Sequence, residues 1–221
     1  MMVSRNSTWR FTLTFVILSL FSVTIPRLHA QLSVKGGYSL STLEITIDVR
    51  RPNSRIPVYT EFLHSYHIGV SQGMSLGKNW SLQGDILAHR GGGFLEVETL
   101  LERTKLVLWQ VRVPIAIRYE VFQGFHLHIG GYMGHYFSSR YHFNGSSTDI
   151  GSQFATLEYG YVGGASYALS EKLTLEIRFN YADRGVARQD PETLLDEFIE
   201  NVELVGFRDR TTDLSIKYQL R

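Results

Sequence analysis

The chain has 221 residues, 43% of them hydrophobic and 19% charged, with a formal charge of +1. Length points to one domain, two at most, and an aromatic share of 13% with 20 Gly and 5 Pro excludes a disordered chain, a collagen and a coiled coil. The absence of Cys excludes a disulfide framework, thiolate zinc sites, a Cys nucleophile and a lipidated N-terminus, and the near-neutral charge offers no nucleic-acid footprint.

Residues 1–30 read as a secretory signal peptide. Arg5 and Arg10 form a positive n-region, and an apolar stretch follows over residues 11–25, broken by Thr12, Thr14, Ser19, Ser22 and Thr24. That stretch is short of the roughly 20 apolar residues a membrane-spanning helix needs. Leu28-His29-Ala30 places a small residue at the cleavage position, although it is an imperfect A-x-A site; an uncleaved short anchor is the competing reading. Cleavage after Ala30 removes Arg5, Arg10 and Arg27 with no acid, takes the formal charge to −2, and leaves one domain over residues 31–221.

That domain alternates with a period of two from end to end. In the first segment Leu32, Val34, Tyr38 and Leu40 oppose Ser33, Lys35 and Ser39. In the second, Tyr66, Ile68, Val70, Met74 and Leu76 oppose His67, Gly69, Ser71 and Gly73. In the third, Trp80, Leu82, Ile86 and Ala88 oppose Ser81, Gln83, Asp85 and His89. The fourth sets Val107, Trp109, Val111, Val113, Ile115, Ile117 and Tyr119 against Gln110, Arg112, Pro114, Ala116 and Arg118. The fifth sets Phe125, Leu127, Ile129 and Met133 against His126, His128, Gly130 and Gly134. The sixth sets Leu157, Tyr159, Tyr161, Tyr167 and Leu169 against Glu158, Gly160, Gly164 and Ser166. The seventh sets Leu173, Leu175, Ile177, Phe179 and Tyr181 against Thr174, Glu176, Arg178 and Asn180. The last sets Leu214, Ile216, Tyr218 and Leu220 against Asp213, Ser215, Lys217 and Gln219.

These are eight candidate strands of about 9–13 residues, longer than the 5–6 usual in soluble sheets and close to the 9–11 that cross a bilayer at a tilt. Short connections at 77–79, 120–124 and 170–171 alternate with long ones at about 45–63, 91–104, 138–155 and 184–210. The spacing predicts an all-β fold: an eight-stranded antiparallel transmembrane up-and-down β-barrel with short periplasmic turns and long extracellular loops. The apolar face would meet lipid. The polar face, with Lys35, Asp85, Arg112, Arg118, Glu158, Glu176, Arg178 and Lys217, would form a paired charge network in the lumen, since such a set cannot line a dry core. Pro114 forfeits a ladder hydrogen bond and is expected at a bulge or bend. The pairs Gly36-Gly37, Gly130-Gly131 and Gly163-Gly164 suit a tightly curved wall.

Four segments carry a resemblance: Val34-Lys35-Gly36-Gly37-Tyr38-Ser39-Leu40, Leu82-Gln83-Gly84-Asp85-Ile86-Leu87 with Arg90-Gly91-Gly92, Val111–Tyr119 with its apolar-x-Pro element, and Leu127-His128-Ile129-Gly130-Gly131-Tyr132-Met133-Gly134. In order and spacing the set resembles the small outer-membrane β-barrel family that includes PorT, over essentially the whole of residues 31–221. The resemblance implies an integral outer-membrane protein of a Gram-negative bacterium of the Bacteroidota type, inserted by the barrel insertion machinery, and it implies little biochemistry; PorT itself is tied to type IX secretion. The chain departs from the usual terminal aromatic residue by ending Tyr218-Gln219-Leu220-Arg221, which leaves Tyr218 as the candidate insertion signal.

Chemistry-bearing motifs are few. His126 and His128 share a face two residues apart, a metal-like pair that reads better as lumen filling. His135, Ser138, Ser139, His142 and Asp149 gather near the third long connection without a spacing that specifies a triad, and no G-x-S-x-G, H-E-x-x-H or P-loop occurs. No catalytic, cofactor or metal site is assigned. Asp190-Pro191-Glu192 starts a predicted amphipathic helix over 191–204, with Leu194, Leu195, Phe198, Ile199 and Val202 on one face and Asp196, Glu197, Glu200 and Glu203 on the other. It would pack on the barrel rim or offer an acidic surface to a partner. The function expected is a non-enzymatic structural or interaction barrel in the bilayer of the outer membrane, with an envelope protein as partner and a PorT-like accessory role in secretion as the finer reading. The alternatives are a lipid-modifying enzyme or narrow pore and, behind these, a secreted lipocalin-like binder.

Overall fold

The structure, a computed structural model, describes residues 31–49, 58–97, 103–143, 145–149, 157–183 and 202–220. The expected signal peptide therefore lies outside the described residues. These contain nine strands: β1 (Gln31–Val49), β2 (Val58–Ser75), β3 (Trp80–Val97), β4 (Arg103–Phe122), β5 (Phe125–Phe143), β6 (Ser146–Asp149), β7 (Leu157–Ala168), β8 (Leu173–Ala182) and β9 (Val202–Gln219). The order β4-β3-β2-β1-β9-β8-β7-β5, closed by β4 against β5, is an eight-strand antiparallel barrel; β6 is a short hairpin arm on the far end of β5. No helix among the described residues is long and apolar enough to cross a membrane.

Alternation dictates which way each side chain points. Ile68, Ile129, Tyr161 and Phe179 are 59%, 73%, 62% and 55% exposed on the outside, while Lys35, Glu176 and Arg178 are each 1% exposed on the inside. A water-soluble barrel would reverse this. Trp80 packs on Tyr119 at 4.7 Å and Phe122 on Phe125 at 4.8 Å near the short turns; Tyr66, Trp109 and Phe137 form a second aromatic group nearer the long connections. From Tyr119 to Trp109 the wall rises ten residues along β4, about 33 Å of strand, which a tilt of roughly 40° brings to about 25 Å, the height of an outer-membrane apolar band between aromatic girdles.

Six strands are longer than their apolar pattern predicts. β1 to β5 and β9 have 18–20 residues, whereas β7 and β8 stop at 12 and 10. Much of the predicted loop sequence at 45–63, 91–104, 138–155 and 184–210 is thus strand. The reason is a change of polarity on both faces beyond the aromatic group, at unchanged parity in β1, β4 and β9. There the inside turns apolar, with Leu43, Leu63, Leu106 and Leu108 buried, while Glu44, His64, Lys105 and Arg210 fall on the outside. Val107 keeps the outward parity of Trp109 and Val111, as expected, but is covered there, at 5% exposed. A bulge opposite Trp109 and Gln110 also flips β5, so that Tyr132, Gly134 and Tyr136 face inward below it and Ser139 above it.

Pro114 makes no bulge. It keeps register with Tyr132 of β5, and on its other side the β3–β4 ladder is interrupted between Gly84–Ile115 and Leu87–Arg112 with no change of register, as the missing N–H requires. One member of each glycine pair lets two strands close up. A Cβ at Gly37, Gly130 or Gly164 would run into the carbonyl oxygen of Leu214, Ile115 or Ile177 on the adjoining strand. Gly124, at φ +79°, closes the two-residue β4–β5 turn. Residues 191–201 of the predicted acidic helix, including Asp196, Glu197 and Glu200, lie outside the described residues. Its last residues, including Glu203, belong instead to β9, where Leu204 pairs with Asp48 and Val202 with Val49; pairing with β1 overrides the helical spacing there.

Candidate functional site in the barrel lumen

The inward side chains fall into layers along the barrel axis. Lys35 on β1 lies between Asp85 on β3, at 3.1 Å, and Glu176 on β8. Arg178 reaches the same two carboxylates, at 2.8 Å each. Two cations and two anions from three strands thus neutralise one another, and all four are 1–2% exposed.

Nearer the long connections, Arg112 donates to Asp209 at 2.8 Å, has Glu158 at 3.9 Å, and lies 4.7 Å over the Tyr132 ring. Glu158 accepts from the Tyr132 hydroxyl at 2.8 Å and from that of Tyr136. Asp209 also accepts from Ser41 at 2.9 Å, Thr211 at 3.1 Å and Gln110 at 3.2 Å. Leu43, Leu106, Leu108 and Tyr136 close this end with an apolar cluster.

Between the two layers sits a hydrogen-bond relay. Ser39 donates to Asp213 at 2.6 Å, so at its 2.8 Å contact with His67 Nδ1 it accepts; His67 Nε2 then accepts from Ser215 at 2.8 Å. A neutral imidazole satisfies every member. Asn180 adds a fourth-strand donor to Asp213 at 2.8 Å, and His89 lies 3.7 Å from it. Ser, His and Asp are the residue types of a hydrolase triad, but Ser39, His67, Asp213 and Ser215 are 0–2% exposed, so a substrate has no approach.

The eight charges singled out from the sequence therefore separate. Lys35, Asp85, Glu176 and Arg178 form one cluster. Arg112 and Glu158 join a second one, centred on Asp209. Arg118 and Lys217 stand at the short-turn end, donating to Ser166 at 3.0 Å and to Gln83 at 3.3 Å. Sequence reasoning missed Asp209, which fell in a predicted loop, and undervalued Asp213, which continues the polar parity of Ser215 and Lys217; extending that parity to 211 and 209 would have found both. His126 and His128 face inward but gain no third ligand, and no group of three or more His, Cys, Asp or Glu converges as a metal site among the described residues. His135 points outward while Ser139 points inward, so the residues near the third connection do not converge.

With an apolar outer wall and a charged, hydrogen-bonded interior established, the chain can be set beside known proteins. The profile described as "Outer membrane protein beta-barrel domain" matches residues 24–182. The chain belongs to this outer membrane β-barrel family. The barrel is also similar in fold to Neisserial surface protein A, with 12% identity and a TM-score of 0.52, over 86% of this chain and 99% of that one. The outer membrane protein OprG from Pseudomonas aeruginosa is similar at 11% identity and a TM-score of 0.50, over 88% of this chain and 98% of that one. At such identities the likeness is one of fold. No curated protein matches the chain. The protein is an outer membrane β-barrel.

Proposed function

We propose that this barrel is a non-enzymatic, side-chain-plugged protein that serves a structural or interaction role in the envelope of a Gram-negative bacterium. The supporting observation is the layer of Lys35, Asp85, Glu176 and Arg178, buried and mutually paired across the lumen. An eight-strand barrel has room inside for little more than its own side chains, and each layer here is tied by contacts between different strands. Rigid, paired filling suits a wall that presents its ends to other molecules rather than one that passes solutes.

In this reading a signal peptide over residues 1–30 is cleaved, the insertion machinery assembles the barrel, and the short turns face the periplasm. A PorT-like accessory role in secretion is the finer form of the proposal, and it rests on the four resembling segments. Two measurements test the whole. The purified protein in planar bilayers is expected to show no steady conductance; a stable open channel overturns the plugged reading. Crosslinking in intact envelopes is expected to recover a defined envelope protein, and recovery of monomer alone counts against an interaction role.

A further inference from the structure

Most inward cations have a carboxylate close by. Lys35 and Arg178 share Asp85 and Glu176, and Arg112 has Asp209 and Glu158. Arg118 and Lys217 differ: among the described residues neither has an acid within ion-pair distance, and both are part-exposed rather than sealed. They sit on β4 and β9, and three strands separate these two either way round the barrel, so the two side chains extend from opposite walls toward the axis.

Their fixed contacts leave donors unused. Arg118 spends Nη2 on Ser166, while its buried Nε has no partner. Lys217 gives one N–H to the Gln83 carbonyl, and the Gln83 amide in turn donates to Asp85 at 3.0 Å and Glu176 at 3.3 Å. Gln83 thereby holds Lys217 below a cluster whose acids are already neutralised. The acid nearest in sequence, Glu120, accepts from the Gly124 N–H at 3.1 Å in the β4–β5 turn. His126 stands at the same end with Nδ1 unpartnered.

We propose that Arg118 and Lys217 form a clamp for a phosphate dianion at the short-turn mouth of the lumen. Two facing cations with no acid in ion-pair contact match a doubly charged oxyanion better than a single carboxylate, and the guanidinium fork and ammonium supply charge-assisted donors from opposite sides. The orientation proposed above decides only that the ligand comes from the periplasm. Binding to the solubilised barrel does not depend on it.

The test is titration of inorganic phosphate into the full mature barrel in an amine-oxide detergent, read by calorimetry and by ³¹P line broadening, with folding verified by heat-modifiable gel migration. Saturable one-to-one binding is expected. Arg118→Gln and Lys217→Gln should each weaken it roughly tenfold, and the charge-keeping Arg118→Lys and Lys217→Arg by no more than about threefold. Lys172→Gln, in the exposed β7–β8 turn, should change nothing. Competition by glycerol 3-phosphate would identify a phosphomonoester as ligand, and its failure to compete would identify the free ion. Absence of saturable binding by the folded protein, equal binding by the Gln variants, or an equal loss in Lys172→Gln overturns the proposal.

Discussion

Arg178 has two carboxylates at 2.8 Å and is 1% exposed, and its environment decides what losing it does. Arg178→Ala leaves Asp85 and Glu176 with Lys35 alone, an excess of buried negative charge. Breaking a buried pair in this way costs about 3–5 kcal/mol, so the urea midpoint should fall clearly below that of the parent. The Arg210–Glu44 pair is shorter, at 2.6 Å, yet its side chains are 48% and 37% exposed. Water screens it, and Glu44→Gln is expected to change stability by less than about 1 kcal/mol. Equal midpoint shifts in the two variants would show that the lumen is wet enough to screen its own ion pairs. Lys35 and Arg178 were recognisable in the sequence as inward charges, because parity alone assigns the face. That Arg112 pairs with Asp209, 97 residues away, was not, because the partner is set by which strands closure brings opposite one another.

At the scale of strands, the wall is shaped by where side chains are missing. The positions of Gly130 and Gly73 make a direct comparison. A Cβ at Gly130 would meet the Ile115 carbonyl on β4, while one at Gly73 would have nothing within 4 Å. Gly130→Val should therefore push β5 from β4 and leave little of the compact, heat-modifiable form, and Gly73→Ala should fold as the parent does. A Gly130→Val protein that folds with an unchanged midpoint would mean that the β4–β5 contact gives way cheaply. The same scale explains the six long strands. Above the aromatic group of Tyr66, Trp109 and Phe137, water replaces lipid outside, and the apolar side moves inward to Leu43, Leu106 and Leu108. A pattern read for apolar-out alternation ends at that level, although the backbone ladder continues to Val49 and Val97.

For the whole molecule, an even number of barrel strands puts both ends of the barrel and the short turns on one side, and the long connections on the other. The absence of Cys makes this easy to examine. Ser147→Cys, exposed in β6 at the long-connection end, should react with an impermeant maleimide on intact cells; Lys78→Cys, in the β2–β3 turn, should react only after the outer membrane is breached. The opposite pattern would invert the topology and would move the Arg118–Lys217 mouth to the cell surface without touching its chemistry.

The sequence by itself determined the number of membrane strands, their faces and the short turns. Lipid accepts only apolar side chains, and a strand alternates every residue, so Ile68, Ile129 and Phe179 on one parity and Lys35, Glu176 and Arg178 on the other leave no other arrangement. Only the tertiary structure decided the heights of the strands, the bulge opposite Trp109, and the sorting of eight charges into one neutral cluster, one cluster centred on Asp209, and two cations at the mouth. Those depend on register and closure, which bring together residues of β1, β3 and β8 or of β4, β7 and β9, and neither quantity is carried by any local stretch of chain.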